Sequence, residues 1–111
     1  MKKVDCILRP HKLEAVKTAL SELGVTGMTV SEVRGCGQPA PAAPAFDDET
    51  LVSLPLRLRI EMVVPDALVE PIIEAILEHA RTGQPDDGKI FVLPYQEAIR
   101  IRTEERGESA L

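Results

Sequence analysis

The sequence predicts an α+β domain whose elements run β-α-β, a long loop, β-α-β and a short extra strand. Its 111 residues fit one domain with a single modest core. Apolar side chains recur at every second residue from Leu54 to Val64, and two other stretches repeat them at spacings of three and four. Two βαβ halves of similar length are typical of the ferredoxin-like sandwich, in which helices cover a sheet. That fold serves many functions, so it does not identify one.

The first half of the chain has the pattern of a strand, a helix and a second strand. Residues 2–9 alternate apolar and polar side chains, as a half-buried strand does. Pro10 suits the start of a helix, because the missing N–H has no partner there in any case. Gly24 stands where a left-handed cap would end this helix, and Met28 to Val33 is the predicted second strand. The apolar face of the helix is formed by Leu13, Val16, Leu20 and Leu23.

Residues 35–50 are predicted to form a long, exposed loop. They are rich in glycine, alanine and proline, lack any periodicity, and include the acidic cluster Asp47-Asp48-Glu49. Proline removes backbone donors and biases its neighbours towards extended conformations, which disfavours both helix and sheet. Loops of this length in compact domains are usually functional or disordered.

The second half repeats the order of the first. After the strand Leu54–Val64, Asp66 can cap a helix, although Pro71 removes one hydrogen bond within it and Gly83 marks its end. The inner face of this helix is formed by Val69, Ile72, Ile73, Ile76, Leu77 and Ala80.

The C-terminal part is predicted to contain two more strands. Lys89–Leu93 follows the glycine turn Asp87-Gly88 and is stopped by Pro94. Residues 98–103 form the short extra strand, and residues 104–111 are a solvated or frayed tail.

Composition excludes several classes of function. The net charge of -5 argues against non-specific nucleic-acid binding, which needs a basic face. No apolar run approaches the roughly 20 residues of a membrane-spanning helix, and no signal peptide is visible, so a cytoplasmic location is expected. Cys6 is expected in the core and Cys36 as a small buried thiol. Neither belongs to a metal-binding pattern, so no metal site is predicted.

Basic side chains offer one candidate anion site in this acidic chain. Arg100 and Arg102 project from the same face if residues 98–103 form a strand, and Lys89 leaves a glycine turn whose N–H groups can hold an anion. Arg57 projects from the polar side of the central strand. Guanidinium groups suit phosphate oxygens because they donate hydrogen bonds in a planar fork. Spacing alone leaves open that all four are surface residues in ordinary ion pairs.

Four short motifs together resemble the PII signalling proteins. They are Thr26-Gly27-Met28-Thr29, Thr82-Gly83, Asp87-Gly88-Lys89-Ile90-Phe91 and Ile99-Arg100-Ile101-Arg102-Thr103. The matched stretches run from Met1 to about Arg34 and from about Arg57 to Thr103. The resemblance implies one PII-like domain over residues 1–111 that assembles as a homotrimer. ATP or ADP would bind in each cleft between neighbouring subunits, and a long loop, the T-loop, would extend over residues 36–53.

The resemblance also implies which positions bind the nucleotide. Asp87, Gly88 and Lys89 would take the phosphates from one side of the cleft, and Arg100 and Arg102 would reach them from the adjoining subunit. The adenine and ribose would meet Gly27, Thr29, Glu61 and Val63. The base of the T-loop would contribute Gly35, Gly37 and Gln38. A tentative second-ligand site would use Gln38 and Arg57.

Departures from the family pattern suggest a divergent member with an altered T-loop. The usual Arg-Gln pair after the second glycine is replaced by Gln38-Pro39, and Asp86 stands where a glycine usually precedes Asp-Gly-Lys. One cation near the terminal phosphate is lost and one carboxylate is added, and a carboxylate repels a polyphosphate. We therefore expect ADP or AMP to bind at least as well as ATP. A role for Mg²⁺ is left open, and no catalytic cofactor is expected.

The loop also lacks the residues of two familiar PII mechanisms. Residues 36–53 contain neither a tyrosine for uridylylation nor an arginine to plug an ammonium channel. The protein partner that would dock on this loop, an enzyme or a transporter, is not identified by sequence, and contact with a membrane would come only through such a transporter. A divergent branch tuned to inorganic carbon (bicarbonate) or metal transport, rather than nitrogen, is one alternative.

Other classes of protein share this fold. An acylphosphatase needs an asparagine beside its arginine, and this chain contains none. P-loop, GxSxG and HExxH motifs are also missing, so the protein is not expected to be an enzyme. Amino-acid-binding modules of the ACT type use a glycine turn after the first strand, where this chain has Leu8-Arg9-Pro10-His11. A nucleotide-free structural trimer of the copper-tolerance type stays open.

Overall fold

The structure is a computed structural model that describes residues 1–37 and 54–111. Four strands and two helices follow the predicted order within these residues, which confirms the α+β ferredoxin-like arrangement. The strands are β1 (Lys2–Leu8), β2 (Thr29–Arg34), β3 (Leu56–Val64) and β4 (Gly88–Pro94), and the helices are α1 (Leu13–Glu22) and α2 (Asp66–Ala80). The sheet has the order β2-β3-β1-β4, and every neighbouring pair is antiparallel. The predicted T-loop lies outside the described residues from position 38 to position 53.

The core lies between one face of the sheet and the two helices. Alternate residues of the central strands β1 and β3 point to it, so that Val4 faces Met62 and Cys6 faces Ile60 across the pair. The helices contribute the residues predicted at three- and four-residue spacing. The buried members of this cluster include Val4, Cys6, Leu8, Val16, Leu20, Ile60, Met62, Ile72 and Ile76. The face of β1 and β3 opposite this core carries charged residues of both strands, among them Lys3, Asp5, Arg59 and Glu61.

The two cysteines differ in environment. Cys6 is buried, as predicted, and burial raises the pKa of its thiol to about 12. Cys36 is exposed, so its predicted burial is wrong.

The predicted cap at the C-terminal end of α1 is observed, whereas the predicted cap at the start of α2 is not. Gly24 has a φ of +90°, the left-handed conformation expected of a C-terminal cap. Asp66 is the first residue of α2 and makes no capping hydrogen bond, so the predicted cap is wrong. Its carboxylate instead lies 3.1 Å from the Met1 ammonium and 3.3 Å from Lys2 Nζ. Asp66 therefore forms ion pairs with residues that are distant in sequence, in place of a local capping hydrogen bond at the start of α2.

The C-terminal segment differs from the prediction. Residues 98–103 do not form a strand: Ile99 makes a single bridge to Arg106, and the chain turns between them, with Glu104 at a φ of 62°. Arg100 donates its N–H to the Glu105 carbonyl at 2.9 Å. A segment with alternating apolar and polar side chains forms a strand only where a partner strand is available to pair with it. No described strand of this chain pairs with residues 98–103. The tail that follows is largely exposed, as predicted, but it is not frayed, because Gly107–Ala110 forms a 3₁₀ turn.

Candidate functional site

The first group of predicted site residues lines one cleft. Gly27 and Thr29 lie at the entry to β2, and Thr29 is paired with Glu61 of β3. Val63 of β3 and the ring of Tyr95 also line this cleft of about 750 Å³, which we call the Gly27 cleft. Its remaining walls include Met28, Leu68 and the C-terminal residues Ala110 and Leu111. The aliphatic side chains of Met28, Val63 and Leu68 in this lining suit the faces of a flat ring.

Four charged residues at or beside the Gly27 cleft, Lys3, Asp5, Arg59 and Glu61, form ion pairs with one another. Lys3 Nζ lies 2.6 Å from Glu61, and this hydrogen bond raises the pKa of Lys3. Arg59 reaches Glu61 at 3.4 Å and also binds both carboxylate oxygens of Asp5, at 2.6 to 3.2 Å. The Arg59 hydrogen bonds hold the pKa of Asp5 below its usual value. The Glu61 carboxylate, which lines the Gly27 cleft, is thus held by two cations.

A second group surrounds the glycine turn before β4. The Asp87 carboxylate accepts hydrogen bonds from the Thr82 hydroxyl, the Thr82 N–H at 2.9 Å and the Gly83 N–H at 2.9 Å, and it pairs with Arg9 at 3.0 Å. These donors, with the Thr82 hydroxyl the largest contributor, hold the pKa of Asp87 far below its usual value. The Asp87 carboxylate is thus fully engaged within the described structure. Asp87 positions the turn, and the exposed side chain of Lys89 emerges directly after it.

Gly88 is required by the close approach of β1 to this turn. Its φ is +114°, and a Cβ placed on it would lie 1.8 Å from the Ile7 carbonyl oxygen. Since β4 pairs with β1 from Gly88 onwards, any larger residue would push the two strands apart at the point where Lys89 leaves the sheet.

A third group lies at the base of the predicted T-loop. Gly35 donates its N–H to the Pro55 carbonyl at 3.2 Å, which closes the β2–β3 pair next to the loop. Asp86 accepts a hydrogen bond from the Gly37 N–H at 2.5 Å and pairs with Arg57 at 3.1 Å. Gln38, the remaining predicted residue here, lies outside the described residues.

The predicted arginines of the C-terminal segment occupy its turn. Arg100 binds Glu105 Oε1 at 3.1 Å and the Leu111 carbonyl at 3.1 Å. Arg102 is exposed within the turn. Neither side chain lines the Gly27 cleft, but Arg100 anchors Leu111, which does.

One subunit does not bring all these groups together. Val63 pairs with Lys3 and Gly88 pairs with Leu8, so the Gly27 cleft and the glycine turn lie five residues apart along β1. At about 3.3 Å per residue this separation is roughly 17 Å. The predicted site is therefore divided between two ends of the sheet.

Sequence reasoning missed the residues that support the two groups. No local motif marks Arg9 or Lys3 as contributors, because their partners Asp87 and Glu61 are distant in sequence. Asp86 stands out in the sequence as a departure from the family pattern, but its ion pair with Arg57 could be found only from the fold.

Within residues 1–37 and 54–111, no helix is both long enough and apolar enough to span a bilayer. The same residues contain no cluster of three or more His, Cys, Asp or Glu side chains able to hold a metal ion.

Comparison with known proteins defines the class to which this fold and divided site belong. The family model described as "Nitrogen regulatory protein P-II" matches residues 1–105. The chain is 47% identical to the nitrogen regulatory protein P-II of Rhodospirillum rubrum and 45% identical to that of Haemophilus influenzae, with both alignments covering 100% of each chain. A solved structure of Arabidopsis thaliana PII bound to citrate superposes with a TM-score of 0.83 at 43% identity, covering 99% of this chain and 91% of that one. The chain belongs to the P-II family of nitrogen regulatory proteins.

Proposed function

We propose that this P-II family member is a non-catalytic sensor that binds an adenine nucleotide between the subunits of a homotrimer. In the cytoplasm, the bound nucleotide would change the conformation of residues 36–53, to which a protein partner would bind. The observation that carries the proposal is the division of the site, because the Gly27 cleft and the glycine turn of Lys89 lie at opposite ends of one sheet.

A ring of identical subunits explains this division. When one end of a subunit contacts the opposite end of the next, the contact is heterologous, and repeating it closes a ring if the rotation permits. Each contact between neighbouring subunits, which we call a seam, would then place the Gly27 cleft of one subunit next to the glycine turn of the other. The charged open face of the sheet, with Asp5 and Arg59, would lie along the assembly.

The chemistry of each half suits one part of a nucleotide. The Gly27 cleft has aliphatic walls and a tyrosine ring for a purine. Lys89, next to the rigid Asp87-Gly88 turn, offers a cation and backbone N–H groups for phosphate. Arg100 and Arg102 would complete the phosphate site after Arg100 exchanges Glu105 and the Leu111 carbonyl for the ligand.

Asp86 bears on nucleotide preference. Its pairing with Arg57 removes one cation from the reach of a terminal phosphate. ADP or AMP is therefore proposed to bind at least as well as ATP. Isothermal titration calorimetry with the three nucleotides tests this, and a tenfold preference for ATP, about 1.4 kcal/mol, would contradict it.

Mixed trimers test the seam directly. Lys89→Gln disables one half of the site, and a double variant with Arg100→Gln and Arg102→Gln disables the other. Each pure variant should lose ADP binding. The two variants are then unfolded together and refolded as a 1:1 mixture. Each contact between subunits receives an intact half from each side with a chance of about one half, so about a quarter of the sites should be restored.

The controls are each variant refolded alone and wild-type protein carried through the same cycle, with trimer formation confirmed by light scattering. Stoichiometry from calorimetry counts the restored sites. Mixtures that bind no more ADP than the pure variants would show that both halves belong to the same subunit. A wild-type protein that stays monomeric would reject the proposal altogether.

A further inference from the structure

Residues 105–111 fold back against their own subunit and hold the guanidinium of Arg100. Arg100 Nη1 lies 3.1 Å from Glu105 Oε1, and Arg100 Nη2 donates a hydrogen bond to the Leu111 carbonyl at 3.1 Å. The backbone supports this contact, because the Arg100 N–H donates to the Glu105 carbonyl at 2.9 Å. One arginine side chain therefore binds both ends of this segment, which we call the C-terminal strap.

The C-terminal strap also forms part of the wall of the Gly27 cleft. The residues of the strap in this lining are Glu108, Ala110 and Leu111. The strap is fixed to the preceding chain at Gly107, which has a φ of +69° and whose N–H donates to the Ala98 carbonyl at 2.9 Å. The cleft has its volume of about 750 Å³ with the strap in this position, so a base can enter while the strap stays in place.

Both contacts of the Arg100 guanidinium can be exchanged for a phosphate group. The Arg100 and Glu105 side chains are 38% and 42% exposed, so water screens their ion pair and its contribution to stability is small. The contact with Leu111 is a hydrogen bond to a neutral carbonyl oxygen, whereas phosphate oxygens are charged and accept stronger hydrogen bonds from a planar guanidinium. Arg100 gains by the exchange, but its two present contacts must break first, and their loss reduces the net affinity for the phosphate.

We propose that the C-terminal strap is an autoinhibitory contact, which competes with the phosphates of a nucleotide for Arg100. This inference rests on the proposed function, in which Arg100 binds phosphate. The strap occupies Arg100 until phosphate displaces it, and release of Leu111 then loosens the wall of the Gly27 cleft. Adenosine has no phosphate and enters the cleft without displacing the strap. The strap therefore lowers the affinity for nucleotides and leaves the affinity for the nucleoside unchanged.

Two variants of the full chain weaken the strap by different means. Glu105→Gln removes the charge of one contact and keeps the shape of the side chain, so ADP should bind roughly two- to fivefold more tightly than to wild type. Gly107→Ala leaves the net charge unchanged. It strains the strap at a positive φ, while the added methyl group meets nothing within 4 Å, so ADP should again bind more tightly. Adenosine should bind both variants and wild type with equal affinity.

Glu97→Gln is the matched control for the change of charge. Glu97 is 48% exposed, close to the value for Glu105, and it pairs with Arg106 at 3.5 Å. This variant should bind ADP as wild type does. Isothermal titration calorimetry with ADP and with adenosine measures the affinities, and light scattering checks that every variant has the oligomeric state of wild type.

The outcomes separate this inference from the proposed function. If wild type binds ADP and neither Glu105→Gln nor Gly107→Ala binds it more tightly, the strap does not compete for Arg100, and the inference alone is overturned. An equal gain in affinity for adenosine, or an equal gain for ADP in Glu97→Gln, would overturn it as well, because the effect would then not act through Arg100. Failure of wild type and of all variants to bind ADP would reject the proposed function and this inference with it.

Discussion

Gly88→Ala is expected to be the most damaging single-methyl change among the described glycines. The new Cβ would lie 1.8 Å from the Ile7 carbonyl oxygen, which is less than any real contact and involves backbone that cannot rotate away. The φ of +114° adds strain of about 1–2 kcal/mol for an L-residue. Separating β4 from β1 at this point also costs about 1 kcal/mol for each ladder hydrogen bond lost. We expect the free energy of unfolding to fall by about 3–5 kcal/mol.

Two other glycines provide matched controls for this substitution. Gly83 has a φ of +87°, but a methyl group added to it would meet nothing within 4 Å, so Gly83→Ala isolates the backbone strain, about 1 kcal/mol. Gly27 has neither a positive φ nor a close neighbour, so Gly27→Ala should change stability by less than about 0.5 kcal/mol. Urea denaturation at one fixed protein concentration measures all three. If Gly88→Ala costs no more than Gly83→Ala, the close approach of β1 to the glycine turn is not present in solution.

The remaining predictions concern a charge pair and the thiols. Asp5→Asn should lower the free energy of unfolding at pH 7 by about 1–2 kcal/mol, because Asp5 is only 8% exposed and its charge-assisted hydrogen bonds to Arg59 are lost. The control is Lys17→Gln on the surface, which should change the free energy of unfolding by less than about 0.5 kcal/mol. Equal urea midpoints for the two variants would contradict this prediction. The pKa of Asp5 is lowered by folding, so its contribution is present above the ordinary value of 3.8 and is lost as pH falls through the folded pKa. The unfolding curves of Asp5→Asn and wild type should therefore converge in acid, and a gap that persists at low pH would exclude the charge as its cause. A thiol reagent at pH 8 should modify the exposed Cys36 and spare Cys6, because burial raises the pKa of the Cys6 thiol to about 12. Mass spectrometry of the labelled peptides measures this, and labelling of Cys6 in preference to Cys36 would contradict it.

The regular elements could be predicted from sequence because each depends on local periodicity. The alternation from Leu58 to Val64 places every second side chain in the core, and the structure buries those residues. Helix α1 likewise buries Val16 and Leu20. Burial of an amphipathic face is the main source of stability for both element types, so the pattern and the fold agree.

The prediction failed where a residue's role depends on a distant partner. Residues 98–103 alternate like a strand, but the chain supplies no described partner for them, and a turn forms instead. The contacts of the Asp87 carboxylate with Thr82 and Arg9 could not be predicted from the motif in which it stands, and its predicted part in phosphate binding stays a prediction. The sequence presents Asp86 as an added negative charge, whereas Arg57 neutralises it in the fold.

Sequence alone was enough to predict the order of strands and helices, the aliphatic core and the family, because these follow from periodicity and from motifs that are continuous along the chain. The pairing of the charged groups, and the division of the candidate site between two ends of one sheet, became visible in three dimensions. The physical reason is that an ion pair or a site depends on distances in space, and residues such as Arg9 and Asp87 become neighbours only when β1 and β4 lie side by side.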